Sequence, residues 1–171
     1  MSHLIIGGDG FVGRALRRRL DLIHEPFQWT TRHHETVSDC AIYFDLCSSL
    51  VRSLPSAKYI YLVAAVSRFA DCEGSAVAWH TNVDAPITIA KWFSRQYETR
   101  SIVFISSDAV ERVGASAYGR AKAHVESFMH SIDGVIVRPT RITSESVDRF
   151  ADFMIAKALE EDGSYVHRWA P

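Results

Sequence analysis

A serine, a tyrosine and a lysine occur in an order and at a spacing that could support proton transfer. Ser107 follows a strand-like apolar run, Tyr118 comes eleven residues later, and Lys122 lies four residues beyond the tyrosine. A spacing of four places Tyr118 and Lys122 on one helical face, although it also suits an ordinary amphipathic helix. A phenol has a pKa of about 10, and a neighbouring ammonium lowers it. Tyr118 could then exchange a proton with a substrate oxygen that Ser107 holds.

A glycine-rich turn near the N-terminus could bind the phosphates of a dinucleotide. Gly7, Gly10 and Gly13 form a GxxGxxG pattern between a predicted strand and a predicted helix. Glycine at these positions would permit a tight turn, close approach of the backbone to a pyrophosphate, and close packing of the helix on the strand. The free N–H groups where the helix begins, at Phe11 and Val12, favour an anion. The alternative is a structural turn that binds no ligand.

The residues after the second predicted strand indicate which dinucleotide the turn would take. An acidic residue there selects NAD through the ribose 2′-hydroxyl, whereas an arginine accommodates the 2′-phosphate of NADP. This chain has Arg32, preceded by Thr31, and no carboxylate until Glu35. We therefore expect NADP as the cofactor, with NAD as the alternative, and Arg14 could assist. In the other interpretation, Arg32 only caps a solvated loop.

The elements that must position these residues alternate along the chain. Short runs rich in β-branched and aliphatic residues predict strands at 3–7, 27–30, 41–45, 59–63, 101–105 and 134–138. Amphipathic segments predict helices at 11–22, 83–97, 118–129 and 147–160. Several strand-like runs are apolar throughout, as is typical of parallel strands covered on both faces. We therefore predict an α/β protein with a doubly wound parallel sheet.

Composition and charge argue against several classes of protein. Of the 171 residues, 47% are hydrophobic, and 19 Lys and Arg residues nearly balance 20 Asp and Glu residues. These values argue against disorder, and the near-neutral charge argues against a nucleic-acid partner even though residues 17–19 are all arginine. The longest apolar run, 59–66, is shorter than the ~20 residues of a membrane span, and we expect no secretory signal.

The cysteines and histidines predict neither disulfides nor a metal site. Cys40, Cys47 and Cys72 are odd in number and lack CxxC spacing, which favours reduced thiols in a cytoplasmic protein. His33 and His34 are adjacent, so they cannot form a ligand pair on one face of an element, and no further ligands lie near them.

Taken together, the motifs resemble the extended short-chain dehydrogenase/reductase family, which includes NAD-dependent nucleotide-sugar epimerases, dehydratases and reductases. The resemblance rests on GGDGFVG near the start of the chain, on ISSDAV and YGRAK in the middle, and on VRP at 137–139. It implies a Rossmann fold with three α/β/α layers and a single NAD(P)-binding domain over 1–171. It also implies that Ser107, Tyr118 and Lys122 are the catalytic residues, with Ser106 as the less favoured serine.

The resemblance further implies contacts with the cofactor outside the glycine turn. Asp45 would meet the adenine, and the residues after the fourth strand would adjoin the adenosine and the nicotinamide ribose. The residues expected to bind the cofactor are Gly7, Gly10, Phe11, Val12, Gly13, Thr31, Arg32, Asp45, Leu46, Val63, Ala64, Ala65, Asn82, Tyr118 and Lys122. Taken alone, Asp45 could equally cap a strand, Ala64 and Ala65 could form a core pair, and Asn82 could be a helix cap.

The chain departs from the family pattern in two places. Only ten residues separate Ser107 from Tyr118, where the family has a longer segment. Little sequence follows the helix predicted at 147–160. We therefore expect 140–171 to be the remnant of a substrate-binding lobe.

Two functions are compatible with these features. The first is an NAD(P)-dependent oxidoreductase in which Tyr118 and Lys122 assist hydride transfer to or from a small molecule, with a nucleotide-sugar as a candidate substrate. The second is a non-catalytic NADP-binding module that regulates or binds a partner. The family also implies a homodimer, whose contact would include Trp92, Ala121, Val125 and Phe128.

Overall fold

A seven-stranded parallel sheet forms the centre of the computed structural model, which describes residues 3–112, 116–160 and 166–171. Its strands are β1 (His3–Ile6), β2 (Phe27–Thr31), β3 (Ala41–Tyr43), β4 (Tyr59–Leu62), β5 (Ser101–Ile105), β6 (Val135–Pro139) and β7 (Val166–Trp169). They lie in the order β3-β2-β1-β4-β5-β6-β7, and every neighbouring pair is parallel. The predicted α/β fold with a doubly wound parallel sheet is confirmed.

Helices cover both faces of the sheet and complete the three layers. In the described ranges they are α1 (Phe11–Leu22), α2 (Phe69–Cys72), α3 (Ala76–Trp79), α4 (Ala85–Phe93), α5 (Ala117–Ser131) and α6 (Val147–Glu160). Alternate residues of a strand point to opposite faces. Leu4 and Ile6 accordingly pack in the core under α4 and α5, whereas Ile5 packs in the core under α1 and α6.

The structure differs from the predicted elements in two regions. The sequence does not predict strand β7, because only two of its four residues are apolar and the charged Arg168 is exposed. The helical segment predicted at 83–97 begins earlier than predicted, because a π-helical turn, His80–Asp84, leads directly into α4. It also ends earlier, at Phe93. Pro86 lies in the first turn of α4, directly after this π-helical turn, so its missing N–H group cannot donate to a carbonyl oxygen of the preceding turn.

The segment 140–171, expected as the remnant of a second lobe, contributes α6 and β7 to the sheet and its covering layer. Helix α6 packs along α1, and Arg18 and Arg19 of α1 donate hydrogen bonds to Asp148 and Asp152 of α6 at 2.6 and 2.7 Å. Strand β7 pairs with β6 over its whole length. Two of the three consecutive arginines thus face α6 rather than an external ligand.

The expected dimer contact needs correction at two of its four residues. Ala121 and Val125 lie on the face of α5 that packs on the sheet of their own chain, so they are buried and not available to a partner. Helical periodicity identifies an apolar stripe but does not say which apolar surface covers it. Trp92 is exposed and Phe128 is partly buried, so these two remain at the surface.

Within the described residues, no helix combines the length and the apolar character that crossing a membrane requires. The same residues contain no group of three or more His, Cys, Asp or Glu side chains placed to hold a metal ion. All three cysteines are free, with Cys40 and Cys47 exposed and Cys72 buried.

A buried histidine lies at the edge of the sheet where β1 and β4 begin. His3 is fully buried, its ring stacks on Tyr59 at a centroid distance of 4.9 Å, and its Nδ1 is 3.0 Å from the Tyr61 hydroxyl. Its Nε2 is 3.5 Å from a carboxylate oxygen of Glu25. Burial lowers the pKa of His3 below its ordinary value of 6.5 despite the opposing effect of Glu25.

This lowered pKa predicts a loss of stability in mild acid. Below about pH 6.5 the unfolded chain binds a proton at His3 before the folded chain does, so the free energy of unfolding decreases as the pH falls from about 6.5 towards the folded-state pKa. Urea unfolding at pH 7.5 and 5.5 should show that the wild type loses more of its free energy of unfolding than His3→Gln over this interval. His130→Gln, at an exposed position of α5, is the control. Equal losses in wild type and His3→Gln would contradict the prediction.

Candidate functional site

A cavity of about 680 Å³ opens along the carboxyl edge of the sheet. Strands β2 and β3 lie on one side of β1, and β4 to β7 lie on the other, so the strand order reverses at β1. Open α/β sheets bind ligands at the carboxyl edge beside such a reversal. Of the predicted site residues, Gly13 and Asn82 do not line the cavity. Those that do are Gly7, Gly10, Phe11, Val12, Thr31, Arg32, Asp45, Leu46, Val63, Ala64, Ala65, Ser107, Tyr118 and Lys122.

The glycine turn brings α1 into direct contact with the end of β1. Gly7 has a φ of +98°, and its N–H donates to Thr30 Oγ1 of β2 at 2.8 Å. A Cβ on Gly13 would lie 2.2 Å from the carbonyl oxygen of Gly7, so only glycine fits there. Gly13 therefore allows α1 to pack closely against the glycine turn without lining the cavity. Gly10, the residue before α1, does line the cavity.

The start of α1 has the chemistry that a phosphate group needs. Gly10 offers no side-chain cap to the helix, and no acidic residue occurs in the first turn. The N–H groups of that turn can therefore donate to an anion in the cavity. The nearby Asp9 carboxylate lies 3.6 Å from Arg17, whose guanidinium stacks 3.7 Å above the Trp29 ring. The residues present thus fit the pyrophosphate of a dinucleotide.

At the end of β2, one arginine faces the cavity with its charge free. Arg32 lines the cavity, is exposed, and has no hydrogen-bond or ion-pair partner among the described residues. Thr31 also lines it, but its buried hydroxyl is 2.9 Å from that of Thr36 and accepts from the His33 N–H at 3.0 Å. Arg14 donates to the Asp9 carbonyl oxygen at 2.5 Å and does not line the cavity.

The loops after β3 and β4 form the wall beside β1. The Asp45 carboxylate accepts from the Cys47 N–H at 3.0 Å and from the Ser48 hydroxyl at 3.2 Å, so Asp45 both shapes a turn and faces the cavity. Asn82 is buried in the π-helical turn, where its amide accepts from the Val66 N–H at 2.8 Å and donates to the Val66 carbonyl oxygen at 2.9 Å. Asn82 therefore fastens the loop after β4 without reaching the cavity itself.

Ser107, Tyr118 and Lys122 meet in the same cavity, beyond the end of β5. Ser107 Oγ donates to Asp108 at 3.3 Å and accepts from the Ala109 N–H at 3.2 Å, which starts the 3₁₀ turn Asp108–Glu111. Lys122 is buried on α5 and donates to the carbonyl oxygen of Ile105 at 2.7 Å. Its Nζ lies 5.5 Å from the centroid of the Tyr118 ring.

The protonation of this pair differs from the sequence-based expectation. Burial raises the pKa of Tyr118 to about 12 and lowers the pKa of Lys122 to about 8. We expected the lysine to lower the pKa of the tyrosine, but loss of water disfavours the charged form of both groups, and the Lys122 ammonium already donates to Ile105. At neutral pH the phenol of Tyr118 is therefore protonated and can donate its proton.

Neighbouring charges hold the elements around this pair together. Arg138 of β6 forms two hydrogen bonds with the buried carboxylate of Glu126, at 2.7 and 2.5 Å, and Glu126 lies one turn beyond Lys122 on α5. Arg138 also donates to Glu111 at 2.5 Å, and Arg168 of β7 donates to Glu111 at 2.9 Å. We call Glu111, Glu126, Arg138 and Arg168 the four-residue ionic network.

The cavity also contains Ser106, the less favoured serine of the sequence analysis, and residues after β6 that were not singled out from the sequence. Ser106 is buried there, and its hydroxyl has no hydrogen-bond partner within the described part of the chain. The loop after β6 adds Thr140, Arg141 and Ile142. Their position in the sequence could have identified the residues of this loop. The carboxyl ends of neighbouring parallel strands meet at one edge of the sheet, so residues just after β6 adjoin those just after β5.

The fold and the site together define a Rossmann-type protein with a dinucleotide-sized cavity. The chain belongs to the NAD dependent epimerase/dehydratase family, a family of NAD-dependent enzymes whose model matches residues 3–169. This result confirms the resemblance found in the sequence. No curated protein matches the chain in sequence.

Solved structures share the fold at low sequence identity. A short-chain dehydrogenase/reductase family oxidoreductase from Brucella ovis, in complex with a partially ordered NAD, is 15% identical with a TM-score of 0.80, and the match covers 98% of each chain. MoeE5 in complex with UDP-glucose and NAD is 16% identical with a TM-score of 0.79, over 100% of this chain and 76% of MoeE5. The Bordetella bronchiseptica enzyme WbmF in complex with NAD⁺ is 14% identical with a TM-score of 0.76, over 98% and 72%.

Proposed function

We propose that this chain is an NADP-preferring oxidoreductase that acts on a carbonyl or alcohol group of a small molecule. The observation that supports this proposal is the single cavity that contains both the glycine turn and the side chains of Ser107, Tyr118 and Lys122. The glycine turn and α1 would hold the pyrophosphate, and the loops after β3 and β4 would hold the adenosine and the nicotinamide ribose. The bound cofactor would supply or accept the hydride.

In this proposal the three side chains act on one substrate oxygen. The protonated phenol of Tyr118 donates its proton to a carbonyl oxygen, which becomes the hydroxyl of the alcohol product as the carbon is reduced. Lys122 places a positive charge beside the phenolate that remains and can donate to the nicotinamide ribose. Ser107 orients the same oxygen by a hydrogen bond. The protonated form of Tyr118 is the one that the reductive direction requires.

The substrate class is proposed from the family and from the loop after β6. MoeE5, a solved structure that shares the fold, is described in complex with UDP-glucose and NAD, which makes a nucleotide-sugar a candidate substrate. We propose that residues 1–171 form a single domain in which 140–171 retains part of a substrate-binding lobe. Thr140, Arg141 and Ile142 support this, since they line the cavity beside Ser107.

Tyr118→Phe should abolish turnover and leave cofactor binding intact. The substitution removes the proton that the mechanism needs, so we expect kcat to fall by about 10²–10⁴-fold. The dissociation constant for NADPH, measured by calorimetry, should change by less than about threefold, because no charge is lost. Turnover is followed as NADPH oxidation with UDP-sugars, aldehydes and ketones as probes. Ser107→Ala should also lower kcat, whereas Ser106→Ala is the matched control one residue away.

Two results of this experiment would contradict the proposal. Full activity of Tyr118→Phe would show that another group transfers the proton, and a larger loss in Ser106→Ala than in Ser107→Ala would transfer the role of the serine. NADPH binding by the wild type without turnover of any probe would instead favour the second function, a non-catalytic NADP-binding module.

Arg32 should determine the preference for NADPH over NADH. A guanidinium with no partner among the described residues, facing the cavity at the end of β2, suits the 2′-phosphate. We expect Arg32→Gln to weaken NADPH binding about ten- to a hundredfold in calorimetric titration, with little change for NADH. Arg52→Gln, exposed on the 3₁₀ turn Val51–Ser53, is the control. Equal affinity of the wild type for both cofactors would contradict this assignment.

We also propose that the protein is a cytoplasmic homodimer. Trp79 of α3 and Trp92 of α4 are exposed, the Trp79 ring lies 5.9 Å from that of His124 on α5, and exposed tryptophans of this kind are enriched in interfaces. The free, exposed thiols of Cys40 and Cys47 suit a reducing compartment. Sedimentation should give twice the chain mass of 19.2 kDa, and Trp92→Glu should give the monomer. A monomeric wild type, or recovery in a secreted fraction, would contradict these proposals.

A further inference from the structure

We propose that Arg141 forms an anion-binding subsite for the substrate, so that the substrate carries a carboxylate or phosphate close to the carbon that reacts. This inference rests on the proposed oxidoreductase function and adds a substrate class to it. It is derived from the position of Arg141, from the pairing of the charges around it, and from the distribution of charge along the cavity.

The register of the sheet places Arg141 beside the proposed catalytic residues. Ile105 of β5 pairs with Val137 of β6, and the Ser106 N–H donates to the Val137 carbonyl oxygen at 2.8 Å. The loops that carry Ser107 and Arg141 therefore leave the sheet side by side. Both residues line the cavity, as does Tyr118.

Arg141 is remote from the proposed site for the 2′-phosphate. Strands β2 and β6 are separated by β1, β4 and β5 in the sheet. At roughly 4.8 Å between neighbouring strands, Arg32 and Arg141 follow strands about 19 Å apart. The two arginines thus serve opposite ends of one cavity, and an anion at Arg141 is different from the one expected at Arg32.

The guanidinium of Arg141 is free, unlike those of its neighbours. It is exposed and has no hydrogen-bond or ion-pair partner in the part of the chain that the structure describes. By contrast, Arg112 pairs with Asp108 at 3.0 Å, and Arg138 and Arg168 belong to the ionic network. Unlike these residues, Arg141 combines an unpaired charge with a place in the cavity lining.

Charge along the described lining also favours an anion at this end. The carboxylates that line the cavity are Asp9 and Asp45, which follow β1 and β3 on the cofactor side. On the side of β5 and β6 the charged lining residues are Lys122 and Arg141, both cations. The planar fork of a guanidinium matches a carboxylate or phosphate through two parallel hydrogen bonds. An anion held there would fix the substrate carbonyl relative to Tyr118 and Ser107.

The test compares neutral and anionic carbonyl compounds of similar size. The probes are benzaldehyde against 4-carboxybenzaldehyde, and glyceraldehyde against glyceraldehyde 3-phosphate, each reduced with NADPH. We expect the wild type to favour at least one anionic probe by about tenfold or more in kcat/KM, and Arg141→Gln to remove that preference without changing the neutral probes. Arg141→Lys should retain part of it. The pair with the larger preference distinguishes a carboxylate from a phosphate. Arg149→Gln, exposed on α6, is the control for net charge.

A binding measurement makes the result independent of turnover. Saturation-transfer NMR of the same probes is recorded with NADP⁺ present, a form of the cofactor that cannot reduce them. Equal binding of neutral and anionic probes, no binding of either anionic probe, or equal effects of Arg141→Gln and Arg149→Gln would each overturn the proposal. Loss of NADP⁺ affinity in Arg141→Gln would also overturn it, by assigning Arg141 to the cofactor. A wild type that binds neither NADP⁺ nor NADPH would show instead that the proposed function has failed.

Discussion

The contact between the end of β1 and the start of α1 is the constraint on which the rest of the site depends. A Cβ on Gly13 would lie 2.2 Å from the Gly7 carbonyl oxygen, and one on Gly7 would lie 2.7 Å from the Cβ of Ala64. Helix α1 and the loop after β4 can therefore approach β1 only if both positions are glycine. This approach directs the first turn of α1 into the cavity and brings the loop that carries Val63 to Ala65 alongside it.

The fold could be predicted from the sequence because each buried strand carries a strong local signal. Runs such as residues 59–63 and 102–105 are apolar throughout, and they lie in central strands covered on both faces. Because parallel strands share a carboxyl edge, the strand assignment alone is enough to predict that Arg32, Asp45 and Ser107 line one cavity. Strand β7 has no such signal, since it is an edge strand whose exposed Arg168 interrupts the apolar pattern.

What the sequence could not predict depends on contacts between distant residues. Asn82 has the same local pattern whether it faces a ligand or fastens Val66, and only the tertiary structure decides between them. The pKa of Tyr118 was expected to be lowered by Lys122 and is raised instead, for a related reason. Spacing along a helix predicts their proximity, but the pKa values depend on how much water the folded chain removes from each group.

The four-residue ionic network has a consequence for how this part of the molecule comes apart. Glu111 is shared between Arg138 of β6 and Arg168 of β7, while Glu126 of α5 holds the other side of Arg138. Separation of β7 from the sheet removes one partner from the turn that follows Ser107, and disorder of that turn removes a partner from β7. Such coupling is reciprocal, because the free energy that joins two elements is the same seen from either one. The last strand of the sheet and the turn beside the proposed active site therefore stabilise each other through Glu111, by the modest amount that a partly exposed ion pair contributes.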